Sequence, residues 1–242
     1  MGRAFEYRKA RKMKRWANMA KTFTRITKEI VMAVKESGPD PDANPRLKAA
    51  IQNAKAANMP KDNVTRAIKR ATDKDTSNYD FKVFEGYAPH GIAVLIETLS
   101  DNNNRTVADI RSYFTKVGGS LGVSGSVEFM FEHKCFFKIA NTGQDIEELE
   151  LEMIDYGVDE IIEEDDQLVL YAPFEEFGKV SAALDEMGME ILSSGTERFA
   201  MDTKELSEAD QADVQKLLDK LEENEDVTTY YHTMQETEGD EE

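Results

Sequence analysis

The sequence predicts an α+β protein of several domains: an N-terminal helical domain plus two ferredoxin-like α/β sandwich domains, the middle one discontinuous. Three observations predict it. Apolar residues recur at helical spacing as far as Ala71, and from Lys82 the period becomes strand-like. Residues 135–200 then run in the order βαββαβ, that of a ferredoxin-like sandwich. A chain of 242 residues exceeds the ~100–200 of one ordinary domain. The expected limits are a basic tail at 1–20, a helical domain at 21–78, a middle domain at 79–133 plus 201–236, and a sandwich at 134–200.

In the helical domain, Met19, Phe23, Ile26, Ile30 and Val34 form one apolar stripe, stopped by Gly38, Pro39 and Pro41. Asn44-Pro45 is an N-cap residue followed by proline at the first helical position, which opens a second helix over Leu47, Ala50, Ile51 and Ala54. Met59-Pro60 breaks it, and a third helix buries Val64, Ala67, Ile68 and Ala71. In the middle domain, Lys82–Tyr87 and Gly91–Leu99 are strands. Thr106 with Asp109 fits a capping box opening a helix that ends at Gly118-Gly119, and Val127–Phe131 is a strand. In the sandwich the strands are Cys135–Ala140, Asp159–Ile162, Leu168–Tyr171 and Met189–Leu192, with helices Ile146–Tyr156 and Phe174–Met187. The tail offers one helix, Glu208–Leu221, and one strand, Val227–Tyr231. These cannot bury a core alone and are expected to return to the middle sheet, ahead of an acidic fray at 236–242.

The net charge of −18 conceals two electrostatic halves. Residues 1–74 hold 19 Lys plus Arg against 7 Asp plus Glu, whereas residues 75–242 hold 11 against 41. Such asymmetry points to a polyanion as partner of the basic part. Cations neutralise phosphates and release counterions, and flat rings stack on exposed bases. Arg8, Lys9, Arg11, Lys12, Lys14 and Arg15, interleaved with Phe5, Tyr7 and Trp16, are the first candidate phosphate contacts. Trp16 itself, in helical register with Met13, Ala20 and Phe23, suits packing better. Arg46 and Lys48 on the second helix, and Arg66, Lys69 and Arg70 on one side of the third, complete the set. The acidic remainder repels polyanions and leaves the basic part to dock.

No apolar run is longer than that of Ile92–Ile96, far short of the ~20 residues of a membrane span. A lone Cys135 suits a reducing compartment and lies in an apolar run, so it reads as core rather than nucleophile. The basic N-terminus has neither the apolar stretch of a secretory signal nor the serines of a mitochondrial presequence, so a cytoplasmic protein is expected. His90, His133 and His232 are isolated and make no metal-binding spacing. Glu163-Glu164-Asp165-Asp166 reads as a solvated turn. For the loop Gly118–Ser126, a tight connection with positive φ outweighs a phosphate cradle, because no Gly-Lys-Ser/Thr follows and the loop leads into a strand. Arg105 anchors the loop or touches a partner, and its neighbours in sequence do not decide. The expectation is a non-enzymatic protein with no cofactor and no small-molecule substrate. Nothing resembles a recognition helix rich in base-reading residues, so irregular RNA suits the basic tail at least as well as DNA.

Asn44-Pro45-Arg46-Leu47, the run Ala54–Asn63 with Ala67-Ile68-Lys69, Glu85-Gly86-Tyr87, Asp101–Thr106, and Gly118–Gly122 with Gly125-Ser126-Val127 resemble the signature of the YebC-like family. The resemblance runs from about residue 22 onward. It implies a three-domain protein, one helical domain and two α/β, that acts as a DNA-binding transcriptional regulator. As the alternative, it implies the family's other role, a ribosome-associated translation factor that relieves stalling at proline-rich stretches; a mitochondrial relative is a translational activator of cytochrome c oxidase. No catalytic residue is implied. The opening Gly2-Arg3-Ala4-Phe5-Glu6-Tyr7 departs from the Gly-His-Ser-Lys-Trp-Ala-Asn of many relatives, so contacts of that stretch do not carry over.

Overall fold

The structure, a computed structural model, describes residues 19–73, 78–164 and 166–235. Three helices come first: α1 (Met19–Ser37), α2 (Pro45–Ala56) and α3 (Lys61–Thr72). Gly38, at φ +92°, terminates α1 by donating its N–H to the Val34 carbonyl. Asn44 caps α2 as its local sequence dictates. Its side-chain oxygen accepts from the Leu47 N–H at 3.0 Å, and its amide donates to the carbonyls of Ala33 and Gly38 at 2.8 and 2.9 Å. Three bonds from one buried side chain thus tie the α1–α2 connection. Asn44→Ala removes the cap and leaves buried partners unsatisfied, so we expect a loss of about 2–4 kcal/mol in denaturant unfolding. Asn44→Asp, which keeps only the accepting role, should fall between.

The chain divides into two compact units. Among described residues, the first comprises 19–28, 78–132 and 199–235, and the second 29–73, 133–164 and 166–198. In the first, β1 (Asp80–Tyr87) and β2 (Ala93–Ser100) form an antiparallel hairpin across a short 3-10 turn, Pro89–Gly91. Helix α4 (Asn103–Lys116), the two-residue β3 (Ser120–Leu121), α7 (Glu208–Glu223) and β8 (Val227–His232) complete it, with strand order β3-β1-β2-β8. β8 pairs antiparallel with β2, from Val94 opposite His232 to Thr98 opposite Val227, with a register shift near Glu97. One face of the sheet packs Ile92, Val94 and Ile96 against Ile110 and Phe114 of α4 and Val214, Leu217 and Leu221 of α7. The other packs Ala93 and Leu95 with Val127, Phe131, Ala200 and Tyr231. β2 is therefore apolar on both faces, which is why Ala93–Ile96 reads as an unbroken run rather than an alternation.

β4 (Phe131–Ala140), α5 (Ile146–Ile154), β5 (Glu160–Glu164), β6 (Gln167–Pro173), α6 (Phe177–Glu186) and β7 (Ile191–Ala200) follow in sequence, and belong to the second unit from 133 to 198. The sheet order is β5-β6-β4-β7, with β4–β6 and β5–β6 antiparallel. Its core joins Phe137, Ile139, Leu168 and Leu170 of the sheet to Leu149, Met153, Val180 and Leu184 of the two helices. Cys135 lies in that core, fully buried, and burial pushes its thiol up to about 11. It is an inert packing residue at neutral pH. Asn53 of α2 ties the helical stretch of this unit to its sheet. Its amide donates to the Ser194 carbonyl at 2.8 Å and its oxygen accepts from the Ser194 N–H at 3.0 Å, which imitates a strand pairing on β7.

Two local expectations are corrected. Thr106 does not open α4. Asn102 does, its side-chain oxygen accepting from the Arg105 N–H at 3.1 Å, while the Thr106 hydroxyl donates to Asp226 and Asn102 inside the first turn. Val127–Phe131 is not a strand. Glu128–Met130 is a 3-10 turn and β4 starts at Phe131, because the Val127 and Glu128 amides are drawn to a side-chain carboxylate, that of Glu85.

Candidate nucleic-acid interface

The structure sorts the predicted cations. Arg8, Lys9, Arg11, Lys12, Lys14 and Arg15 lie outside the described residues, as does Asp165 of the acidic turn. Arg46 is exposed on the first turn of α2 and pairs with Glu36 at 2.5 Å; Lys48 pairs with Asp185 at 2.7 Å. Both carry a neutralising partner, which lowers their value for a phosphate. α3 differs. Arg66, Lys69 and Arg70 are exposed on one side of it, opposite the buried Ala67 and Ala71. Arg66 donates to the Asp62 carbonyl at 3.2 Å and to the Asn63 side-chain oxygen. Neither Arg66 nor Lys69 meets a carboxylate among the described residues. Alanines hold the helix to its neighbours while long cationic stems project from the other side.

The Gly118–Ser126 loop is already filled. The Glu85 carboxylate accepts from the N–H groups of Gly125, Val127 and Glu128 at 2.6, 2.7 and 2.8 Å, and the Glu85 carbonyl accepts from Gly122 at 2.7 Å. The amide cradle that a phosphate would need is occupied by a carboxylate from β1. Gly118 and Gly125 adopt φ +78° and +82°, so the turn chemistry requires glycine there. At Gly119, a Cβ would stand 2.6 Å from the Tyr87 carbonyl oxygen.

Sequence reading missed the most connected polar centre. Asp226, 7% exposed, accepts on one oxygen from Arg105 at 2.7 Å, Thr106 at 2.9 Å and Ser100 at 3.0 Å. Its other oxygen lies 3.3 Å from Lys28 Nζ, itself 7% exposed and donating to the Leu99 and Glu225 carbonyls at 2.8 and 2.7 Å. Burial alone would raise the Asp226 carboxyl. The hydrogen bonds from Arg105, Thr106 and Ser100 and the charge of Lys28 outweigh it and hold the group below the usual carboxylate range. Arg105 also binds Asp101 at 3.0 Å, and these two acids keep its guanidinium charged. It therefore anchors the lead-in to β8, not the glycine loop. The signal was the Asp101–Thr106 cluster, but its partner Asp226, 120 residues beyond Thr106, was invisible.

Among the described residues no group of three or more His, Cys, Asp or Glu is arranged to hold a metal ion. No helix among them is long and apolar enough to cross a membrane. His133 stacks on Phe174 at 4.2 Å between ring centroids, and His90 lies 3.5 and 3.4 Å from Asp210 and Asp213.

A helical segment with an exposed cationic side and two antiparallel sheets, in a chain whose remainder is strongly acidic, define an α+β protein of several parts. The chain belongs to the TACO1/YebC family: its N-terminal domain matches over residues 3–74 and its second and third domains over 79–234. It is 66% identical over 236 residues to a "Probable transcriptional regulatory protein" of Flavobacterium johnsoniae, covering 98% of this chain and all of that one. A protein of the same name from Porphyromonas gingivalis is 53% identical over the full length of both. The crystal structure of a conserved hypothetical protein from Aquifex aeolicus matches with a TM-score of 0.74 at 34% identity, over 92% of each chain. The relatives' names support a regulatory role.

Proposed function

We propose that this protein is a non-enzymatic regulator that works by binding nucleic acid through its basic first quarter, in the cytoplasm and without a cofactor or small-molecule substrate. The observation that carries the reading is the segregation of charge, 19 cations against 7 acids in residues 1–74 and the reverse beyond. The exposed α3 side with Arg66, Lys69 and Arg70 supports it, and the names of the relatives favour DNA and transcription. The acidic remainder repels a phosphate backbone, which confines contact to the cationic segment. The same reading takes both sheets as ferredoxin-like sandwiches, the first assembled from separated stretches of chain.

A second reading, RNA contact on the ribosome in translation, is favoured by one feature of α3. Its exposed side carries Arg66, Lys69, Arg70 and threonines with no glutamine, and its one asparagine, Asn63, is taken up by Arg66, a set suited to phosphates more than to base edges in a major groove. Two measurements test the pair. Neutralising the ridge (R66Q/K69Q/R70Q) should lower affinity for duplex DNA or structured RNA and reduce the slope of log K against log salt by about 2–3. An unchanged slope removes α3 from the interface. Sedimenting cell extract through a sucrose gradient at moderate salt then separates the readings. Recovery with ribosomal fractions favours translation, and recovery only in light fractions with tight binding to a defined promoter favours transcription.

A further inference from the structure

Helix α5 of the second unit carries charge and apolar side chains where folding alone gives no reason for them. Leu149 and Met153 turn to the core, while Leu151 and Ile154, 73% and 60% exposed, project from the other side. At helical spacing the surface neighbours of Leu151 are Glu147, Glu148, Ile154 and Asp155. Two large apolar side chains one turn apart thus stand in water, rimmed by carboxylates, the pattern of an interaction surface.

The charge around them is one-sided. Residues 139–178 contain 14 Asp plus Glu and no Lys, Arg or His. None of the Glu147, Glu148, Glu150, Glu152 and Asp155 carboxylates stands in an ion pair among the described residues. Lys179 reaches the end of the helix, but it donates to the Asp155 carbonyl at 2.8 Å and pairs with Glu176. Asp145 caps the start by accepting from the Glu147 and Glu148 N–H groups, and acids suit that end. Glu152 and Asp155 sit at the other end, where the helix dipole disfavours them, and Glu148 faces Glu152 at i, i+4. A cationic partner relieves that repulsion.

Those features constrain the occupant. It brings cations to the rim and apolar groups to Leu151 and Ile154, which rules out a nucleic acid, whose phosphates the carboxylates repel. A helix with apolar residues at i, i+3 or i+4 flanked by Lys and Arg presents both at the matching pitch. With nine residues, α5 is about 14 Å long, so the contact is small, transient and sensitive to salt.

We propose that the outward side of α5 docks a Lys/Arg-rich amphipathic helix of another protein, Leu151 and Ile154 seating its apolar residues and the surrounding carboxylates its cations. The surface does not depend on the cationic first quarter of this chain. Its test uses the full chain and fluorescence anisotropy with two labelled peptides of the same length and the same Lys and Leu composition, one with its leucines on a single helical face and one scrambled. The amphipathic peptide should bind about tenfold tighter than the scrambled one and slow hydrogen exchange across Ile146–Ile154. L151S/I154S, which alters exposed side chains and keeps the charge, should cut that affinity about tenfold, the size of a lost apolar anchor. E147Q/E148Q, an independent arm should the first variant unfold, should weaken binding and flatten its salt dependence. Equal binding of the two peptides, or an affinity that survives both variants, overturns the surface, because the peptide then reads only overall negative charge. Self-association of the unliganded chain in sedimentation velocity that L151S/I154S abolishes gives the face to a second copy and overturns it too. So does a loss of DNA or RNA affinity in that variant, which gives the face to the nucleic-acid interface. Failure of the peptide experiments leaves the charge-based reading standing, since the ridge variant of α3 tests that separately.

Discussion

Asp226→Ala should unfold the first unit at markedly lower denaturant, with a loss of about 3–5 kcal/mol. The magnitude follows from what remains. Lys28 keeps its two carbonyl acceptors but loses its counter-charge at a site 7% exposed, the buried Ser100 hydroxyl loses its acceptor, and the buried Thr106 hydroxyl is left with the Asn102 carbonyl and Ser100. Removing one member of a buried charged set is costly because the survivor stays desolvated. Asp226→Asn preserves the shape and should cost less. Hydrogen exchange should localise the loosening to Leu99–Thr106 and to the lead-in of β8, since the Leu99 N–H donates to the Asp226 carbonyl. The pH dependence follows from the direction of the shift. A carboxyl held below its unfolded value of ~4 contributes stability that is complete above that value and is lost as pH falls through the folded one. The gap between wild type and Asp226→Asn should therefore be constant near neutrality and shrink below about pH 4.

The second large effect concerns affinity. Replacing Arg8, Lys9, Arg11, Lys12, Lys14 and Arg15 together by glutamine should cut binding to DNA and RNA at low salt and flatten log K against log salt by about 5, one cation per phosphate. The ridge variant of α3 is the smaller counterpart, three charges rather than six. Because the two sets lie on separate segments, their slope changes should add. If the sixfold variant leaves both affinity and salt slope as they were, the polyanion assignment of the first quarter fails, whatever the relatives are named.

Much of the secondary structure was legible because its signals are local. Asn44-Pro45 announces α2, Gly38 ends α1, and the switch of period near Lys82 marks the first strand. The errors arose where a distant side chain decided a local question. Thr106-Asp109 has the spacing of a capping box, but Asn102 captures the cap while the threonine hydroxyl turns to a carboxylate 120 residues away. Val127–Phe131 has strand composition, and the Glu85 carboxylate, 42 residues upstream of Val127, claims its first amides. The cations suffered the same limit. Nothing near Lys48 foretells Asp185, 137 residues on, and only packing shows that Arg66 and Lys69 of α3, unlike Arg46 and Lys48 of α2, meet no carboxylate among the described residues. Arg105 was visible as an isolated basic residue, but its role was not, because both of its acids had to be placed first.

Glu85 has a consequence for engineering. The shape of the glycine segment is held by an atom group on another strand, so the segment is not a transferable cassette. A chimera that imports Gly118–Ser126 into a host without an acid at the equivalent of Glu85 would import the letters and lose the conformation. One that carries the glutamate along would keep both.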